Sequence, residues 1–148
     1  MSHRLAPLLA AAILSVTACG SAMPPTAPDA MLVDVTTLPM AGAGVSGRWA
    51  GVGHAATGSV RVSVQGGVAR VDFSSDFSVS PVPAPYVYLN TTNNPNSGRP
   101  LRVAVLASNS GAQSYAFQLP AGTAYTWVLV WCDRYNVAVA EAPIPATP

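Results

Sequence analysis

The chain contains no lysine, and only 9% of its 148 residues are charged. Its arginines and acidic residues are scattered singly and leave a formal net charge of +1. This distribution provides neither the basic stripe of a nucleic-acid-binding protein nor the acidic run of a solvating tail. We therefore expect no nucleic-acid partner, and we expect a surface formed mostly by Ser, Thr, Asn, Gln and Gly.

Metal and haem ligands are equally scarce, because the chain has two cysteines and two histidines. A blue-copper site takes two histidines and one cysteine, and zinc sites take three or four protein ligands. The sequence has no Cys-x-x-Cys-His motif for covalent haem and no Gly-x-Ser-x-Gly nucleophile motif. No cofactor is evident from the sequence, and the motifs do not indicate an enzyme.

No apolar run reaches the ~20 residues that a membrane-spanning helix requires. The apolar run from Leu5 to Val16 is shorter, follows Arg4 and closes in the motif Val-Thr-Ala-Cys at Cys19. This arrangement is typical of a bacterial lipobox, so we interpret residues 1–18 as a lipoprotein signal peptide. Cys19 would then carry acyl chains such as palmitate, and two or more chains anchor a protein stably to a membrane. An ordinary secretory signal with an incidental cysteine is the alternative.

The predicted location is the cell envelope, with the chain lipid-anchored and extracytoplasmic. Gly20 does not provide the aspartate-type signal for inner-membrane retention. This favours the outer membrane, or the outer face of the plasma membrane in a cell with one membrane. The membrane is one expected partner, through the acyl chains on Cys19, and a redox or envelope protein is another. Acylation of Cys19 also leaves Cys132 as the only free thiol, so no intramolecular disulfide can form.

Residues 19–46 are rich in Pro, Ala and Gly. They predict a mobile tether, in which Met31 to Val33 could dock onto the domain. From Gly47 onward apolar and polar residues alternate, which predicts strands, and Gly66-Gly67 predicts a hairpin turn. The strands recur about every dozen residues without helical periodicity. They predict an all-β fold, an antiparallel β-sandwich or Greek-key barrel over residues 47–146, preceded by the flexible tether.

The most apolar strand is predicted over Ala124 to Cys132. Because both of its faces are apolar, we place this strand in the centre of a sheet. Its odd-numbered side chains would share one face and its even-numbered side chains the other. We expect the row Tyr125, Trp127 and Trp131 to belong to the core rather than to form a stacking platform.

Four segments of the chain form a recognisable series. They are Gly47-Arg48-Trp49 followed by His54 and Gly58 to Val62, the stretch Phe77 to Leu89, the block Gly111 to Tyr115 with Leu119-Pro120, and the close from Val130 to Val137. In this order they resemble the DM-thirteen (DM13) domain. The resemblance implies a small all-β module found beside DOMON and cytochrome b-type domains in animals and alone in bacterial lipoproteins. It also implies electron transfer, with the cysteine of the Trp131-Cys132 pair proposed as redox-active. The chain departs from the multidomain members, which carry a DOMON domain.

Cys132 is therefore the candidate redox thiol, a role that requires a lowered thiol pKa and some exposure. Arg134 would supply positive charge nearby, and Asp133 would oppose it. The alternative is a cysteine packed as a small core hydrophobe. His54, in a glycine-rich approach to a strand, is the second candidate, as a base or co-ligand for Cys132. Its alternative is a histidine that hydrogen-bonds a turn.

Two functions are thus left open. The first is a membrane-anchored extracytoplasmic lipoprotein with an electron-transfer or thiol-redox role through Cys132. The second is a non-redox binding or structural envelope lipoprotein, whose sandwich presents loops such as residues 90–100 to a partner. The accessibility of the Cys132 thiol distinguishes the two.

Overall fold

The computed structural model describes residues 22–37 and 44–147. The predicted signal peptide and Cys19 lie outside the described residues. Within these ranges the chain forms one short 3-10 helix, Val35–Thr37, and eleven strands. The strands are β1 (Gly44–Arg48), β2 (Ala50–Gly51), β3 (Ala56–Thr57), β4 (Ser59–Gln65), β5 (Val68–Phe73), β6 (Ser78–Val79), β7 (Pro85–Asn90), β8 (Leu101–Val105), β9 (Gln113–Gln118), β10 (Trp127–Cys132) and β11 (Val137–Pro143). No helix in the described ranges is long and apolar enough to cross a bilayer.

The strands pair into two antiparallel sheets that pack face to face. One sheet has the order β1-β4-β5-β9, the other has the order β2-β11-β10-β7-β8, and β3 and β6 form a separate short pair. Side chains between the sheets, such as Val62, Val71 and Val130, are fully buried, as the core of a sandwich requires. This architecture confirms the predicted all-β sandwich.

The predicted hairpin joins β4 and β5. Gly66 and Gly67 take positive φ angles of 58° and 79°. Two successive left-handed residues are what a two-residue type I′ turn requires, and glycine adopts them without steric cost. The Gly-Gly pair thus sets the register in which Val62 lies opposite Val71.

β10 is the middle strand of the five-stranded sheet, as its apolar character on both faces predicts. Val128, Val130 and Cys132 point into the core between the sheets. Leu129 and Trp131 belong to a second, smaller cluster on the outer face of the same sheet. Each face of this strand is therefore covered by a different part of the molecule.

The stretch before β10 differs from the predicted strand. β10 begins at Trp127, three residues after the predicted start at Ala124. The backbone N–H of Tyr125 is bonded to the side chain of Thr147 at 3.0 Å rather than to a neighbouring strand. Tyr125 consequently does not share the outer face of the sheet with Trp127, but packs into the core between the sheets.

Both open sides of the sandwich are closed by N-terminal parts of the domain. On one side, the chain passes directly from β1 in the first sheet to β2 in the second. On the other side, residues 22–33, which we call the strap, bond to the edge strands β8 and β9. Ala30 N–H donates to Arg102 O (2.8 Å), and Gln118 N–H donates to Met31 O (2.9 Å). These bonds satisfy backbone groups that an exposed sheet edge leaves free.

The strap lies within the segment that the sequence predicts as a tether. Its docked part includes Met31 to Val33, since Val33 N–H donates to Ala116 O (2.9 Å). The side chains of Met31 and Leu32 nevertheless remain exposed. The strap is therefore attached here mainly through its backbone.

Candidate functional site

Cys132 is the last residue of β10, and its side chain belongs to the core between the sheets. The residue is only 1% exposed. Its Sγ donates a hydrogen bond to the carbonyl oxygen of Pro83 at 3.0 Å. Because the sulfur is buried and its proton is bonded, reaction at the sulfur requires a local opening of the structure.

The segment that covers the thiol, residues 81–85, has the sequence Pro-Val-Pro-Ala-Pro and is called the proline segment below. At its C-terminal end, Asp133 N–H donates to Ala84 O (3.1 Å) and Leu106 N–H donates to Pro85 O (2.9 Å). Ala84 takes a φ of 47°. This left-handed conformation costs a residue with a Cβ about 1–2 kcal/mol. The cover over Cys132 is therefore strained.

His54 lies in the bend between β2 and β3, at the same end of the sandwich as Cys132. Its neighbour Ala55 donates its N–H to Ser80 Oγ (3.3 Å), next to the proline segment. Gly51 permits the bend, since a Cβ there would lie 1.7 Å from the carbonyl oxygen of His54. Within the described residues no hydrogen bond joins His54 to Cys132. The fold thus brings both candidates to one end without linking them.

The charged neighbours of Cys132 are directed away from the sulfur. Arg134 is exposed, and its guanidinium lies 5.7 Å from the centre of the Tyr135 ring. Asp133 is 6% exposed, and its carboxylate is bonded to other side chains. From their positions in the sequence, both residues are expected to act on the thiol, whereas in the structure each binds another partner.

An ionic network begins at the buried Asp133 and extends to the surface. One carboxylate oxygen accepts a hydrogen bond from the Tyr88 hydroxyl at 2.8 Å, and the other accepts from Arg102 Nη1 at 3.2 Å. Arg102 also donates through Nε and Nη2 to the two oxygens of Asp29 in the strap, at 2.6 and 3.2 Å. We call these four residues the Asp133 network. It connects the end of β10 to the strap.

No motif in the sequence identifies the Asp133 network. Asp29 and Arg102 are 73 residues apart in the chain, and each charge stands alone among neutral neighbours. The one available signal is the position of Asp133 directly after the candidate thiol. Charge pairing across sheet edges depends on strand order, which the pattern of apolar residues does not specify.

The network changes the proton affinity of its members. Burial raises the pKa of the Tyr88 hydroxyl far above its ordinary value, and the hydrogen bond to Asp133 raises it further. The hydrogen bond from Arg102 lowers the pKa of Asp29, and the same bond raises the pKa of Arg102. Tyr88 is therefore a neutral phenol and Arg102 a cation across the physiological pH range.

Aromatic side chains surround the network on the outer face of the five-stranded sheet. Tyr88 and Trp131 are buried there, and Tyr86 and Trp127 pack against this cluster. The guanidinium of Arg102 lies 5.2 Å from the centre of the Tyr86 ring, a cation–π arrangement. Of the predicted aromatic row, Tyr125 thus lies in the core between the sheets, whereas Trp127 and Trp131 pack on the outer face.

The fold and the site together define a small β-sandwich module with a buried thiol and a buried tyrosine–carboxylate pair. Residues 22–37 and 44–147 contain no group of three His, Cys, Asp or Glu that could hold a metal ion.

The family model described as "Electron transfer DM13" matches residues 50–144. The chain belongs to this family, which confirms the resemblance. No curated protein and no solved structure matches the chain. Family membership relates the domain to electron transfer, and the matched range includes His54 and Cys132.

Proposed function

We propose that this protein is a lipid-anchored, extracytoplasmic electron-transfer module of the cell envelope in which Cys132 is the redox group. Membership of the DM13 family supports the electron-transfer role. The position of the Cys132 thiol at a strand end, beneath a strained cover, is the observation that carries the proposal. The anchor rests on the lipobox that ends at Cys19, three residues before the first described residue, Ala22.

The proline segment acts as a gate in this proposal. Opening breaks the bond between Cys132 Sγ and Pro83 and the backbone bond between Asp133 and Ala84. It also releases the left-handed strain at Ala84, which offsets about 1–2 kcal/mol of that cost. A local opening of this kind exposes the sulfur while β10 stays paired on both sides.

The redox step is thiol–disulfide exchange with a partner protein, because acylation of Cys19 leaves a single thiol in the chain. The thiol proton passes to the imidazole of His54, and the Cys132 sulfur attacks one sulfur of a disulfide in the partner. The partner's S–S bond breaks as the mixed disulfide forms, and the departing thiolate takes up a proton. The partner is thereby reduced at one sulfur, and Cys132 is oxidised.

The test is the rate at which an aromatic disulfide reagent labels Cys132 in the folded, lipidated protein in detergent. A local gate exposes little surface, so the labelling rate should change little between zero and low urea. The chain offers a matched control, Ala121→Cys in a Cys132→Ser background, which places a thiol in the exposed turn after β9. This control gives the rate for a fully accessible sulfur.

Labelling that rises with urea as steeply as global unfolding would contradict the gate. His54→Gln distinguishes proton transfer to the imidazole from opening of the proline segment. It should slow exchange with oxidised glutathione at neutral pH without changing the urea dependence of labelling, because the imidazole takes the proton but does not hold the gate.

A non-redox binding or structural role is the second candidate, and two observations favour it. Cys132 is 1% exposed and its proton is already bonded. In addition, a cavity of about 500 Å³ lies between the strap and the loop after β7, lined among others by Met23, Pro95 and Asn136. Labelling only through global unfolding, together with full retention of phenotype in Cys132→Val, would select this second function.

A further inference from the structure

We propose that Tyr88 is a one-electron relay, with Asp133 as the acceptor of its phenolic proton. This role goes beyond the thiol site, since it uses different atoms and a one-electron step. The hydroxyl of Tyr88 donates to Asp133 Oδ1 at 2.8 Å. A phenol that loses an electron must also lose its proton, and a carboxylate at hydrogen-bond distance is placed to take it.

Tyr88 differs from the other four tyrosines among the described residues. It is 0% exposed and is the one whose hydroxyl donates to a carboxylate. Tyr115 instead donates to the Gln113 side-chain oxygen at 2.6 Å. Tyr135 is 55% exposed. The buried site protects a radical at Tyr88 from water and from other solutes.

Burial also excludes a route in which Tyr88 loses its proton before it loses an electron. The raised pKa of the hydroxyl keeps tyrosinate scarce at neutral pH, so electron loss has to be coupled to proton transfer. Arg102 holds the second oxygen of Asp133 at 3.2 Å and is held more closely by Asp29, at 2.6 Å. A proton on Asp133 can therefore be accommodated while Arg102 keeps its closer partner in the strap.

The aromatic cluster provides a path from Tyr88 towards the surface. Trp131 is in the same buried cluster, and the partly exposed Tyr86 and Trp127 pack against it. Indole and phenol rings are the side chains that lose an electron most readily besides a thiolate. Trp131, Cys132 and Asp133 are consecutive, so the relay and the thiol meet at the end of β10.

The step balances with an oxidised metal complex as one-electron oxidant. Tyr88–OH, the Asp133 carboxylate and the oxidised complex give the neutral Tyr88 radical, the Asp133 carboxylic acid and the reduced complex. Re-reduction of Tyr88 by a one-electron donor returns the proton from Asp133. No bond to carbon forms or breaks, and after re-reduction the domain is back in its starting state.

The test uses the full lipidated chain in detergent with Cys132→Ser, so that no thiol can trap the radical. A photo-oxidised ruthenium polypyridyl complex serves as the oxidant, and the neutral tyrosyl radical is followed by transient absorption and electron paramagnetic resonance. Tyr88→Phe should lower the radical yield at least about fivefold, whereas Tyr115→Phe, the matched buried control, should leave it unchanged. Asp133→Asn should slow radical formation by about tenfold or more, because the amide does not accept the proton.

An unchanged yield in Tyr88→Phe would overturn the relay, whatever the thiol does. If Asp133→Asn does not fold, the Tyr88→Phe comparison and the solvent isotope effect decide in its place. A rate that is the same in light and heavy water would contradict proton transfer to Asp133. Since the experiment lacks Cys132, its failure is separate from failure of the proposed thiol exchange.

Discussion

Tyr88 and Asp133 are the residues in which packing and electrostatics are most closely coupled. The phenol is fully buried, and its hydroxyl is matched by a carboxylate that is itself 6% exposed. Each group provides the hydrogen-bond partner that the other requires. A buried polar atom without a partner costs about 1–3 kcal/mol of stability. The pair therefore stabilises the fold only as long as both members are present and the phenol keeps its proton.

Tyr88→Phe should lower the free energy of unfolding at neutral pH by about 1–3 kcal/mol, because Asp133 Oδ1 loses its donor. Urea unfolding followed by circular dichroism measures this difference. Tyr135→Phe, at an exposed position, is the matched control and should have almost no effect. Equal stability of the Tyr88→Phe variant and the parent protein would show that the hydroxyl contributes nothing.

Alkaline pH tests the Tyr88–Asp133 pair by removing the phenolic proton. The pKa of Tyr88 is raised in the folded protein, so folding favours the protonated phenol. This contribution is fully present below the ordinary tyrosine pKa of about 10 and is lost progressively as the pH rises above it. The stability of the parent protein should therefore fall as the pH rises above about 10, and more steeply than that of Tyr88→Phe.

At the scale of elements, the strap is joined to β8 by an ion pair in addition to its backbone hydrogen bonds. Arg102 holds Asp29 with two hydrogen bonds, while backbone bonds on both sides of Asp29 attach the strap to β8. The Asp29 side chain is 71% exposed, so the pair adds less than about 1 kcal/mol to global stability. Its effect should be local, on the docking of the strap.

Asp29→Asn should release the strap from β8 without unfolding the sandwich. Hydrogen exchange at Ala30 N–H, which donates to Arg102 O, should become faster, while exchange within β10 stays slow. Asp76→Asn, in the exposed turn before β6, is the control. Because the pKa of Asp29 is lowered in the folded state, docking is supported above about pH 4 and weakens as the pH falls through that range. Unchanged protection of Ala30 in Asp29→Asn would contradict the role of the pair.

The elements also show which features a sequence can predict. The apolar residues on both faces of β10 require cover on both sides, and this placed the strand correctly in the middle of a sheet. The Gly66-Gly67 turn was predictable because two left-handed residues restrict the sequence to very few types. Met31 to Val33 indicated that the tether could dock, but the strands on which the strap docks and the bond from Cys132 to Pro83 were not predictable. Both depend on which distant segments meet, and neither leaves a periodic signal.

At the scale of the whole molecule, the proposed anchor on Cys19 would determine where the site can act. Ala22 begins the strap three residues after Cys19, and three extended residues reach only about 10 Å. Met23, in the strap, and Asn96, in the loop after β7, line the same cavity. An acylated Cys19 would therefore hold this side of the sandwich close to the bilayer.

Cys19→Ser should abolish both lipid attachment and membrane association. Each buried methylene of an acyl chain contributes about 0.8 kcal/mol, so loss of the chains removes the whole binding energy of the anchor. Incorporation of labelled palmitate and fractionation of cells into membrane and soluble extracytoplasmic parts measure the two effects. Cys132→Ser is the control, because a thiol sealed beneath Pro83 is not an acylation site, and it should incorporate label like the parent. If the parent protein itself incorporates no label and fractionates with the soluble extracytoplasmic part, the signal at residues 1–18 is an ordinary secretory one and the orientation derived from the anchor is wrong.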